Sequence, residues 1–329
     1  MIKNLGLIEA KGYDPYANLA LERLLFEQTG PTCCVLYLWQ NAHTVVIGRN
    51  QNALDECDVY ALEAEGGHLV RRLSGGGAVY HDLGNLNFTF LIPTKDFDIA
   101  KQNAVILNAL QSLGINAQAT GRNDLTVDGR KFSGCAYLHE GEHSYHHGTL
   151  LIAADFSALS RYLRPSPLKL QARGVKSLRS RVVNLSELSP SLTIQQLKSA
   201  LAQSFGKVFN SQVERIDSTQ LDEEYLEQLR THFASPAWNL GKKRHLSQGA
   251  EARFSWGTVR LDLEIAEGLI QQAYLWTDAL AEGLPVLVER ALSGCTLDAP
   301  ELQSRLEGEK IDTQVAFDLT QLVLSIAAR

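Results

Sequence analysis

Asp128-Gly129 stands between two runs of strand-forming residues, Leu125–Val127 and Arg130–Tyr137. A two-residue Asp-Gly connection favours left-handed backbone at both positions and closes a tight antiparallel hairpin. Other strand candidates follow one another over links almost as short: Cys34–Trp39 and Thr44–Ile47, read as a pair, then Leu69–Arg72, Ala78–Tyr80, Leu86–Ile92 and Gly148–Ile152. Helical patterns lie between them without strict β-α-β alternation. This predicts an α+β fold of mixed and antiparallel sheets with flanking helices, not a doubly wound parallel sheet.

The helices carry their own signals. Asp14-Pro15 is an N-cap followed by a residue suited to the first turn. Leu21, Leu24 and Leu25 then recur at helical spacing, with Glu22 and Glu27 expected on the outside. Residues 53–65 read as one helix ended by Gly66-Gly67. Ile99, Val105, Ile106, Ala109, Leu110 and Leu113 line one face of another, ended by Gly114. Further helices are expected near 193–205 and 219–232.

With 329 residues the chain exceeds what one core usually serves, so a large and a small domain are expected. Residues 241–250 read as a linker, and beyond them Arg253–Trp256, Thr258–Ile265 and Leu269–Leu275 form a β-meander pattern before the closing helices. The boundary is placed near residue 246, giving a domain of residues 1–246 and a small α+β domain of residues 247–329.

Charge and cysteine usage narrow the class. A net charge of −6 disfavours a broad nucleic-acid-binding surface, though not a local basic pocket. Five cysteines, an odd number without a C-x-x-C pair, fit neither a disulfide framework nor a zinc site. No apolar run approaches the roughly 20 residues that span a bilayer. A cytoplasmic protein that binds no membrane is expected.

Residues 71–87 hold two arginines just before a triple glycine, Arg-Arg-Leu-Ser-Gly-Gly-Gly-Ala-Val-Tyr-His-Asp-Leu-Gly-Asn-Leu-Asn. Arginine offers forked donors to phosphate or carboxylate, and glycine lets the backbone approach a ligand closely. The pattern reads as an anion-cradling loop, and no G-x-x-x-x-G-K-[ST] loop accompanies it. In the 121–137 hairpin, period-2 alternation puts Lys131, Ser133, Cys135 and Tyr137 on one face. Lys131 is the candidate fixed cation, beside small residues that leave room for a ligand. A thiol pair of Cys135 with Lys131 is disfavoured, because four strand residues span roughly 13 Å. A buried inert thiol is expected instead.

His139-Glu140-Gly141-Glu142-His143 matches H-E-x-x-H in letters. That motif works on a helix, and Gly141 weakens a helix by about 1 kcal/mol relative to Ala. The string is read as a hairpin loop, and His147 at the start of a buried strand as the edge of a pocket. Residues 165–184, rich in Lys and Arg, are read as a lid over a phosphate-bearing ligand.

Taken in order, Arg71–Asn85, Gly121–Leu125, Arg130–Tyr137, His146–Leu151 and Val175–Leu188 resemble the lipoate–protein ligase family, and the C-terminal β-then-α module is similar to that of its two-domain bacterial members. The resemblance implies a mixed-sheet catalytic domain related to biotin–protein ligases, plus an accessory domain. It implies an ATP-dependent ligase that converts lipoate to lipoyl-AMP, usually with Mg²⁺. The lipoyl group then passes to a lysine of lipoyl domains, in acyltransferase subunits of 2-oxoacid dehydrogenases and the glycine-cleavage H-protein.

By resemblance Lys131 is the essential lysine touching both carboxylate and phosphate. Arg71, Arg72, Ser74, Gly75, Gly76, Gly77, Ala78 and Val79 belong to the nucleotide and lipoate loop. Asn123 and Asp124 lie near the nucleotide or its metal, His147 lines the pocket, and residues 168–184 fold over the adenylate. Cys135 stands where family members usually carry Ser. This leaves open an ATP-independent octanoyl or lipoyl transferase working through a cysteine thioester.

Overall fold

The computed structural model describes residues 1–120, 124–164, 168, 181–241, 246–281 and 283–328. Its strands are β1 (Asn4–Glu9), β2 (Cys33–Trp39), β3 (Thr44–Ile47), β4 (His68–Arg71), β5 (Val79–His81), β6 (Asn85–Pro93), β7 (Gln118–Thr120), β8 (Asp124–Val127), β9 (Arg130–Glu140), β10 (His143–Leu151), β11 (Val213–Arg215), β12 (Gln248–Phe254), β13 (Gly257–Ala266) and β14 (Leu269–Thr277). Eight form one sheet in the order β11-β1-β2-β6-β10-β9-β8-β7. β1 pairs parallel with β2 and β11, and the remaining pairs of this sheet are antiparallel. A second sheet runs β4-β3-β5, with one parallel and one antiparallel pair. The α+β expectation with mixed sheets therefore describes the molecule.

The Ile99–Ser112 and Ile194–Phe209 helices cover one face of the large sheet and bury Val105, Ile106, Leu197 and Phe205 against Leu36, Phe88 and Phe90. The Pro15–Gln28 helix covers the other face, capped by the Asp14 side chain. At about 25 cal/mol per Å² of apolar surface removed from water, such faces supply the main drive for the layering.

Asp128 and Gly129 adopt φ of 51° and 74°, as the two-residue hairpin requires. Three local expectations are corrected. β2 and β3 do not pair, because their connection carries the chain from the large sheet into the small one. Residues 53–65 form two short helices, Ala53–Glu56 and Val59–Ala64, since Asp58 caps a new start. Glu22 is 2% exposed rather than on the outside, because buried polar groups of the sheet are there to meet it.

β12, β13 and β14 form an antiparallel meander packed by the Leu284–Leu292, Ala299–Gly308 and Thr313–Ala327 helices around their own core, which includes Leu261, Val288 and Leu319. Among the described residues no helix is long and apolar enough to cross a membrane.

Candidate active site

Lys131 owes its direction to an irregularity in the hairpin. Thr126 pairs with Lys131 while Leu125 pairs with Ser133, so Phe132 is one extra residue in β9. Such a bulge breaks the period-2 alternation. Lys131 is thereby turned away from the side of Ser133 and Cys135 and lies across Gly134, where a Cβ would come within 2.8 Å of its Nζ. The face expected to hold Lys131, Ser133, Cys135 and Tyr137 together is thus divided. Tyr137 packs on Phe97 and His146, and Cys135 packs against the helix-covered core. Lys131 Nζ instead meets Asp124 Oδ1 at 2.6 Å, with both side chains half-exposed.

These two residues line a cavity of about 840 Å³, together with Arg72, Gly76, Gly77, Ala78, Val79 and His147. That volume suits a small-molecule ligand. Gly76 turns the loop with φ of 90°. Arg72 shapes the loop from within: its guanidinium donates to Gly75 O and Gly77 O at 2.7 and 2.8 Å and to Ser74 Oγ at 3.1 Å. Burial lowers the Arg72 pKa to about 10, which leaves it charged at neutral pH.

Arg71, expected beside the ligand, is not on the cavity wall. Its guanidinium donates to the carbonyls of Gly48, Arg49, Gln51, Trp238 and Asn239. It ties the turn after β3 to the Pro236–Leu240 helix. Neighbours on a strand point to opposite faces, so two adjacent arginines cannot both face one cavity. Ser74 and Gly75 lie behind the wall, Ser74 bonded to His147 and Gly75 close to Ala279.

The apolar end of the cavity is lined by Leu19, Trp39 and Val46. Here His147 Nδ1 meets Glu22 Oε1 at 2.9 Å and His147 Nε2 meets Ser74 Oγ at 2.8 Å. Glu22 Oε1 also accepts from Thr89 Oγ1, which accepts from Trp39 Nε1. The chain of bonds fixes the imidazole with a proton on Nδ1 toward the carboxylate. Glu22, Trp39 and Thr89 are functional-site residues that sequence reading missed. A carboxylate inside a buried helical stripe was the available signal for Glu22. His81, also on the wall, accepts at Nδ1 from the Asn41 and Asn87 amides, and burial lowers its pKa to about 3.

Cys135 borders the cavity, but burial pushes its thiol up to about 12 and its Sγ lies 3.8 Å from Ser133 Oγ. Little thiolate exists there at neutral pH, whereas a nucleophilic cysteine needs one. The H-E-x-x-H string is a β-turn with Gly141 at φ 61°, between β9 and β10. Among the described residues no group of three or more His, Cys, Asp or Glu is placed to hold a metal.

Asn123 lies outside the described residues, as does most of the basic segment 165–184. Its far end is described: Lys131 N donates to Arg181 O at 2.7 Å and Val183 N donates to Lys131 O at 2.9 Å. The segment thus rejoins the fold on the main chain of Lys131, and Arg181 lines the cavity.

The family model for the lipoyl protein ligase A/B catalytic domain matches residues 14–206, and that for the bacterial lipoate protein ligase C-terminus matches residues 246–323. A lipoate-protein ligase A from Psychrobacter cryohalolentis is 38% identical over 311 residues, which cover 92% of each chain. The structure of P. falciparum LipL1 in complex with lipoate superposes with a TM-score of 0.85 at 25% identity, covering 98% of this chain and 100% of that one. A lipoate-protein ligase A bound with ATP gives a TM-score of 0.63 at 26% identity, over 73% of this chain and 99% of that one. A cavity with an apolar pocket at one end and an arginine-braced glycine loop beside a lysine, on a fold and sequence shared this widely, marks the chain as a member of the lipoate–protein ligase family.

Proposed function

We propose that the protein joins lipoate to lipoyl domains in two steps driven by ATP. The observation that carries this reading is the Lys131 side chain on the wall of the one cavity that the Gly76-Gly77 loop and the apolar residues Leu19, Trp39 and Val46 also line. In the first step a lipoate carboxylate oxygen attacks the α-phosphorus of ATP. The bond to the bridging oxygen breaks and pyrophosphate leaves. Two anions must approach, and a fixed ammonium offsets their repulsion and stabilises the developing charge. In the second step the acceptor lysine amine attacks the acyl carbon, AMP departs, and the amine loses a proton. Lys131 can then donate to the acyl oxygen.

In this reading the backbone of Gly76, Gly77, Ala78 and Val79 cradles nucleotide and carboxylate, with Arg72 bracing it. The dithiolane and its alkyl chain fill the apolar end, and His147 with Glu22 gives that end its shape. Mg²⁺ would enter on the triphosphate; the half-exposed Asp124 carboxylate on the cavity wall is an oxygen donor that fits it. Asn123 is assigned beside the nucleotide by resemblance alone. Residues 1–246 form the catalytic unit and residues 247–329 the accessory unit. The acceptors are the acyltransferase subunits of 2-oxoacid dehydrogenases and the glycine-cleavage H-protein, in the cytoplasm.

The Cys135 thiol, pushed up to about 12, weighs against a thioester transferase. The test is to incubate the protein with ATP, Mg²⁺, lipoate and an apo lipoyl domain, and to weigh the domain. ATP-dependent gain of one lipoyl group supports the reading. Acylation only from an acyl-carrier donor, without ATP, overturns it.

A further inference from the structure

Of the five lysines and arginines that line the cavity, Arg72, Lys131, Arg181, Arg253 and Lys310, the first two have their charge held by carbonyl or carboxylate oxygens of the described residues. Arg72 is bonded to the carbonyls of its own glycine loop, and Lys131 to Asp124. Arg253 differs from both. It comes from the C-terminal unit, at the end of β12, and lines the same cavity. It is exposed, and among the described residues its one hydrogen bond runs from Nη1 to Thr258 Oγ1 at 2.8 Å. A neutral hydroxyl leaves the charge and most of the guanidinium donors uncommitted.

Its position is tied to the glycine loop. Arg253 pairs with Thr258 across β12 and β13. The Thr258 amide donates to Asp278 Oδ1 at 2.7 Å. Ala279, the next residue, lies against the loop, and a Cβ on Gly75 would come within 2.5 Å of Ala279 O. The Thr277 amide also donates to Asn50 O at 2.9 Å, across the two units. Lys310, also on the wall, stands two residues from the wall residue Asp312, so that turn adds no net charge.

We infer that Arg253 grips the β- and γ-phosphates of ATP, so that the C-terminal unit takes part in adenylation by holding the leaving pyrophosphate. The inference rests on the ligase reading. The α-phosphorus must sit at Lys131 for attack. The phosphates beyond it then need another cation, and a planar fork with free donors fits two phosphate oxygens at once.

Pyrophosphate exchange and ATP titration on the full chain test this. Arg253→Ala is expected to raise the KM for ATP and weaken ATP binding by about tenfold or more, since a charge-assisted bond is lost. The KM for lipoate and the transfer from synthetic lipoyl-AMP stay within about twofold. Arg253→Lys recovers part of the loss. Arg253→Gln keeps a donor to Thr258 without the charge and decides the matter should the alanine variant not fold. ATP affinity unchanged in these variants overturns the inference, and so does an equal loss in transfer from the synthetic adenylate. Wild-type protein without any exchange would instead overturn the ligase reading.

Discussion

Lys131 Nζ lies 2.6 Å from Asp124 Oδ1, and the two meet because one extra residue in β9 turns the lysine onto the face of Gly134. An unbroken alternation would have aimed the ammonium at the helix-covered core. The bulge that re-aims it is the smallest structural event on which the whole site depends.

Lys131→Ala should therefore remove adenylation and little else. Loss of the positioned cation is expected to cost about 10²-fold to 10³-fold in ATP–pyrophosphate exchange. The half-exposed ion pair contributes at most about 1 kcal/mol, so the unfolding midpoint should barely move. Exchange at the wild-type rate in a folded variant would contradict the assignment.

Gly134→Ala tests the same geometry with the lysine still present. The added Cβ falls 2.8 Å from Nζ and 2.9 Å from Cε. The flexible end of the side chain can yield, so stability should stay within about 1 kcal/mol of wild type. The displaced ammonium should lower exchange by about tenfold, because an error of about 1 Å in a positioned group is costly. Steady-state kinetics beside denaturant titration would separate the two effects.

Cys135→Ser should keep ligase activity within about threefold of wild type, since a thiol pushed up to about 12 supplies almost no thiolate. A transferase working through this sulfur would lose its activity entirely. Following lipoyl-domain modification in the serine variant distinguishes the two.

Acid should weaken the fold from pH 6.5 downward through two buried histidines. Burial lowers His81 and His146 from the usual 6.5 to about 3, so both are neutral in the native protein. The unfolded chain takes up their protons below pH 6.5, whereas the folded one does not. Their contribution is complete above pH 6.5 and is lost as pH falls from there toward 3. Each histidine adds a slope of about 1.4 kcal/mol per pH unit in that window. Unfolding by denaturant at pH 7 and pH 5 should show it, and His146→Asn, in the core against Phe88 and Phe90, should reduce the slope. Equal stability at the two pH values would count against neutral buried imidazoles.

Much of this was legible along the chain. The Asp-Gly turn, the capped helices, the β-meander and the triple glycine are local signals, and local backbone sterics and hydrogen-bonding demand govern them. The family motifs pointed to Lys131, Asp124, the glycine loop and His147, all of which border or back one cavity. Arg71 and Arg72 could not be told apart, because adjacent strand residues part to opposite faces and a reading of types carries no phase. The phase of Lys131 was also hidden, since nothing in Arg-Lys-Phe-Ser-Gly announces an inserted residue.

What the order of residues settled was the inventory: which turns close, which stripes seek burial, which cation and which glycines could serve an anion. What awaited folding was the company each group keeps. Glu22 reached His147 across 125 positions, and Arg253 reached the cavity from a separate core. Such meetings depend on how layers stack and where a ladder slips by one residue. That outcome is decided by the packing of the whole chain, because no short segment can bury its own apolar face or satisfy its own buried charge.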